Sequence, residues 1–66
     1  MKIGDMIKFS ILGPAAHLNG RIGIYLGEAF IHRSDGVLIE NHKVLLMGEH
    51  EPTIIDRSLL SHMKVV

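Results

Sequence analysis

The stretch Asn19–Glu28, NGRIGIYLGE, decides the fold. It opens on Asn-Gly, a dipeptide that favours the tight turn of a β-hairpin, and then alternates. Ile22, Ile24 and Leu26 fall on one side, and Gly23, Tyr25 and Gly27 on the other. Apolar residues at every second position mark a strand with one buried face. This pattern predicts the two isoleucines and Leu26 inward and Gly23, Tyr25 and Gly27 outward. Two glycines in one phase leave that side nearly bare, which either lets the strand bend or admits another backbone. A sheet of few strands must curl strongly to meet itself, so the pair points to a small, sharply bent sheet.

Working outward, the same alternation recurs. From Met6 to Leu12, Ile7, Phe9 and Ile11 share one side, while Met6, Lys8 and Ser10 share the other. Gly4-Asp5 is a turn before this strand, and GPAAHLNG (Gly13–Gly20) is a loop after it. Ala29 to Arg33 continues the central strand or leads into the next. Ser34-Asp35-Gly36 is a hairpin turn. Val37 to Glu40 reads as a short strand, followed by a turn or bulge at Asn41-His42. Lys43 to Met47 is the most apolar strand, and Gly48 to Pro52 breaks it. Thr53 to Ile55 is extended. Asp56 then suits the N-cap of one helical turn over Arg57 to Leu60, and Met63 to Val66 forms a last strand. The expected fold is all-β: five or six short antiparallel strands and one late 3₁₀ or helical turn, in a single domain over residues 1–66.

Composition bounds the function. A chain of 66 residues buries only about 60% of its unfolded surface. It has no cysteine for disulfides, so oligomerisation is a natural source of added stability. Hydrophobic residues make up 47% of the chain, more than a core this small absorbs, and surplus apolar surface marks interaction sites. Seven basic and seven acidic residues give zero formal net charge. That disfavours non-specific nucleic-acid binding, which rests on phosphate neutralisation, and anionic membrane surfaces. It also leaves self-association unopposed. The longest apolar run, Val44 to Met47, is far too short for a membrane span. A Gly-Asp pair occupies the place of a signal peptide's apolar run, so the expected location is cytoplasmic.

Five histidines, His17, His32, His42, His50 and His62, are separated by 15, 10, 8 and 12 positions. No local zinc motif has such gaps. His42 and His50 with Glu49 or Glu51 remain a remote metal or pH-responsive set. His42 with Ser34 and Asp35 or Glu40 supplies the letters of a hydrolytic triad, but without a nucleophile elbow or a phosphate loop. The expectation is therefore a non-enzymatic protein with no cofactor. Arg21, Arg33, Lys43 and Arg57 form either a basic patch or part of a mixed-sign surface. The candidate contact residues are Tyr25 and Phe30 as aromatic anchors and the run Val44, Leu45, Leu46 and Met47. There one alternate set fills the core, and the other is covered by a loop or by a partner, because apolar edge strands invite pairing.

KIGDMIKF (Lys2–Phe9), NGRIGIYLGE and DRSLLSHMKVV (Asp56–Val66) together resemble a small SH3-like barrel. There a Gly-Asp precedes the first strand and a one-turn 3₁₀ helix hands over to the last. The central stretch is similar to the KOW motif, a glycine-containing strand after a turn. More narrowly, the chain resembles short bacteriophage proteins that open with Lys-x-Gly-Asp-apolar and close with Leu-Leu-x-x-x-x-Val-Val. The resemblance implies a closed barrel, and host cytoplasm or virion as location. It further implies an interaction or structural module, homo-oligomeric or bound to another protein, with a KOW-like nucleic-acid-associated module as the alternative. Absence of tryptophan departs from the aromatic groove that holds proline-rich peptides, and zero net charge departs from basic KOW modules.

Overall fold

A computed structural model describes residues 1–11, Gly13 and residues 16–66. The expected continuation of the first strand to Leu12 and the Pro14-Ala15 part of the loop lie outside the described residues. Five strands form in chain order: β1 (Met6–Phe9), β2 (Ile22–His32), β3 (Leu38–Leu46), β4 (Thr53–Asp56) and β5 (Met63–Val65). One 3₁₀ turn, Ala16–Leu18, precedes β2, and a 3₁₀ helix, Arg57–His62, precedes β5. Asp56 caps that helix as expected, its Oδ1 accepting the Ser58 N–H at 2.9 Å.

The strands pair antiparallel in the order β4-β3-β2-β1-β5. The chain runs as a meander through β4, and β5 then returns beside β1. No ladder joins β4 to β5 among the described residues, so the sheet is open along that seam rather than closed by hydrogen bonds. The 3₁₀ helix Arg57–His62 connects the two edges, and its Leu59 and Leu60 pack against the core.

Ile7, Phe9, Ile11, Leu18, Tyr25, Val44, Leu46, Ile55 and Met63 make that core. β1 has the expected phase, with Ile7 and Phe9 inside and Met6, Lys8 and Ser10 exposed. β2 does not. Gly23 and Tyr25 face the core, while Ile22, Ile24 and Leu26 are only half-buried on the other side. The reason lies in the neighbouring strands. Gly23 is the cross-strand partner of both Ile7 and Leu46, so it is enclosed by a strand on each side. A Cβ at Gly23 would stand 2.7 Å from both the Leu45 carbonyl oxygen and Val44 Cγ1. The glycine is there because β3 comes too close for anything larger. On the opposite face, Met6, Ile24 and Leu45 line up across three strands.

Two further expectations are corrected. Val37–Glu40 and Lys43–Met47 are not separate strands around a turn at Asn41-His42. They belong to one strand, β3, because the long β2 supplies a partner for every residue from Leu38 to Leu46, with Glu28 opposite His42. Lys43 and Val44 are therefore not at an edge, since there β3 lies between β2 and β4, whereas Leu45 and Leu46 pair with β2 alone among the described residues. The register shifts once, between Tyr25 and Gly27, leaving Leu26 as an extra residue. A β-bulge of this kind kinks the strand and reverses which side later residues face.

β2 and β3 also outrun their neighbours. β1 pairs with β2 only from Ile22 to Ile24, and β4 pairs with β3 only from Asn41 to Val44. Phe30–His32 and Leu38–Glu40 thus project as a two-stranded arm. It closes through Arg33–Val37, where the Arg33 N–H donates to the Val37 carbonyl at 2.8 Å and Asp35 Oδ1 accepts the Val37 N–H. The radius of gyration, 12.0 Å, exceeds the value of about 11 Å for a compact chain of this length. The arm accounts for the excess.

Candidate functional site

At the root of the arm, the bulge and the pairing of Glu28 with His42 bring three polar side chains into line. The Tyr25 hydroxyl lies 2.7 Å from His42 Nδ1, and His42 Nε2 lies 2.8 Å from Glu40 Oε2. His42 is 3% exposed and Tyr25 is buried, while Glu40 sits at the border with solvent. One tautomer satisfies the whole chain. With the proton on Nε2, the imidazole donates to the Glu40 carboxylate and Nδ1 accepts from the Tyr25 hydroxyl. No buried side-chain N or O atom lacks a partner among the described residues. Burial first, then the charges of Glu28 and Glu40, push the Tyr25 phenol above its ordinary pKa.

The set looks like a carboxylate–imidazole–hydroxyl triad, with Tyr25 where a sequence reading puts Ser34. Its chemistry runs the other way. A nucleophile needs a lowered pKa and access to substrate, whereas this hydroxyl is enclosed and holds its proton more tightly. Asp35 pairs with Arg33 at 2.8 Å in the exposed turn, away from any such role. The chain braces the arm against the core: Tyr25 on β2 and His42 and Glu40 on β3 tie the ribbon where it leaves the sheet.

Both ring nitrogens of His42 are occupied, so it has no lone pair to share with His50 at a metal. Among the described residues no group of three or more His, Cys, Asp or Glu side chains is placed to hold one. Arg21 reaches Glu49 at 3.5 Å, and with the Arg33–Asp35 pair this makes a mixed-sign surface around two of the four cations considered for a basic patch.

The candidate contact residues separate into two groups. Tyr25 is a core residue, which corrects its placement as an outward anchor: the glycine on the same face, Gly23, marks close packing and not exposure. Val44 and Leu46 are likewise consumed by the core, Val44 at 0% exposure. Leu45 is half-buried on the opposite face, and Met47 is exposed in the turn after β3. Phe30 is 56% exposed on the arm. Around it stand residues that the sequence reading did not select: Ile31, Val37, Leu38 and Ile39, all exposed. Phe30 and Leu38 share one face of the ribbon, and Ile31 and Ile39 share the other. The available signal was a run of large apolar residues on both sides of the Ser34-Asp35-Gly36 turn, further from the turn's polar tip than a hairpin in water needs.

No family model, curated protein or solved structure matches this chain. Among the described residues no helix is long and apolar enough to cross a membrane.

Proposed function

We propose that this protein is a non-enzymatic, self-associating interaction module of SH3-like kind, and that a second copy of the chain covers the β2–β3 arm. One observation carries this: Phe30, Ile31, Val37, Leu38 and Ile39 are all exposed on a ribbon that no other strand flanks among the described residues. A two-stranded ribbon is marginal in water and gains independent stability from a third strand or a packed face. Free strand edges with apolar side chains recruit such a partner. A second copy offers both at once, since an isologous pair sets each arm against the same surface of its twin. Zero net charge places no long-range repulsion between copies.

The SH3-like assignment is supported by β5 returning beside β1 after a 3₁₀ helix, the connection that the terminal motifs imply. Those motifs also support a bacteriophage source, with host cytoplasm or virion as the setting. A KOW-like role on nucleic acid has less support, because Tyr25, its stacking residue, is inside the core.

Sedimentation velocity over a concentration series tests the proposal. The parent chain is expected to shift from monomer to dimer as concentration rises, and Ile31→Lys combined with Leu38→Lys to stay monomeric while keeping its β-sheet circular dichroism. A parent chain that sediments as a monomer into the millimolar range overturns it.

A further inference from the structure

β1 and β5 set two lysines directly opposite one another. Lys8 is the cross-strand partner of Lys64, and both are exposed. Like charges so placed repel. Neither lysine takes part in an ion pair among the described residues, although Arg21 and Arg33 each hold a carboxylate. The pair borders a cleft of about 430 Å³ that Ser10, Asn19, Gly20 and Val66 also line. Sites for small ligands span roughly 300–1,000 Å³. Among the described residues no acidic side chain lines the cleft. Asn19 Oδ1 accepts the Ile11 N–H at 3.1 Å, which fixes the carboxamide and leaves its Nδ2 hydrogens without a partner among the described residues. Every polar side chain of the lining therefore has a hydrogen bond to donate: two ammonium groups, one hydroxyl and one amide.

We infer that this cleft, between β5 and the Asn19-Gly20 turn, is a binding site for a phosphate group. Lys8 and Lys64 supply the charge, and Ser10 and Asn19 the neutral donors. An anion between the two ammonium groups turns their repulsion into attraction to a shared counter-charge. A ligand that binds only the folded chain also stabilises it. The site shares no residue with the arm, so it stands or falls apart from self-association.

The test is a titration with inorganic pyrophosphate at low ionic strength, followed by amide chemical shifts and by thermal unfolding. Saturable shifts are expected at Lys8, Ser10, Asn19, Gly20 and Lys64, with a rise in unfolding temperature. Lys8→Met and Lys64→Met should each weaken binding about tenfold, the loss of one charged hydrogen bond. Both variants should fold at least as stably as the parent without ligand, since each removes the repulsion. Lys8→Arg should retain binding. A short single-stranded oligonucleotide is the second arm of the experiment. Tighter binding than pyrophosphate, lost in the same variants, identifies a strand's phosphates as the source; equal or weaker binding assigns a free phosphate compound. The inference is overturned if pyrophosphate shifts are not saturable, if they spread equally to Lys2 and Lys43, or if the double methionine variant binds as the parent does.

Discussion

The phenol oxygen of Tyr25 stands 2.7 Å from Nδ1 of His42 inside the molecule, and that contact joins the arm to the core. Removing one member strands the other. Tyr25→Phe is expected to lower the unfolding free energy by about 1–3 kcal/mol, the cost of a buried acceptor left unpaired. Replacing both residues with apolar ones, Tyr25→Phe with His42→Leu, should cost less than the two single changes combined. The coupling should be about 0.5–3 kcal/mol. Urea denaturation followed by circular dichroism measures all four chains. Strict additivity would mean that the two groups do not interact.

The same burial sets an alkaline limit. Tyr25 is the single tyrosine, and its pKa is raised above the ordinary 10.0. The folded chain therefore holds the phenolic proton more tightly than the unfolded chain does. The resulting stability is fully present below the unfolded pKa of about 10 and is lost as pH rises through the higher folded value. Phenolate absorbance should appear later in the native protein than in urea. Melting temperatures of the parent should fall more steeply above that pH than those of Tyr25→Phe. Parallel declines would remove Tyr25 as the cause.

Much of this fold is legible in the sequence. The Ile7-Phe9-Ile11 alternation, the turn at Ser34–Gly36, the cap at Asp56 and the final strand from Met63 all lie where local chemistry puts them. The facing of β2 is not legible, because both of its sides carry residues that a strand can bury. Alternation alone ranks Ile22 and Ile24 above glycine for the core. Only the neighbouring strand reveals that Val44 and the Leu45 backbone already occupy the space over Gly23. The buried state of His42 is hidden for a similar reason: its partners, Tyr25 and Glu40, matter only once β2 and β3 are in register. Phe30 was visible as a candidate contact. Its four apolar companions were not, since nothing in the sequence says where β1 and β4 stop.

Gly23→Ala tests the close approach of β3. The new methyl would meet a backbone carbonyl at 2.7 Å, and a backbone atom in a paired strand cannot swing aside as a side-chain tip can. An overpacking loss of about 1–3 kcal/mol is expected, read from the denaturation midpoint at unchanged slope. A neutral result would show that β2 and β3 are further apart at this point.

Leu46→Ala and Phe30→Lys should separate core from contact surface. Emptying the buried Leu46 position is expected to cost about 2–5 kcal/mol. Phe30→Lys, at an exposed position, should stay within about 0.5 kcal/mol in dilute solution and weaken self-association. The denaturation of dilute samples and sedimentation of concentrated ones give the two readouts. Equal losses of stability would place Phe30 in the folded core.

The supernumerary Leu26 between Tyr25 and Gly27 has a final consequence. Every pairing from Glu28 to His32 lies beyond one inserted position. Excising that position would restore strict alternation with the same partners, leaving Gly27 opposite Lys43, Glu28 opposite His42 and Phe30 opposite Glu40. A single-codon deletion here would thus remove the kink of the bulge while keeping the facing of the projecting hairpin.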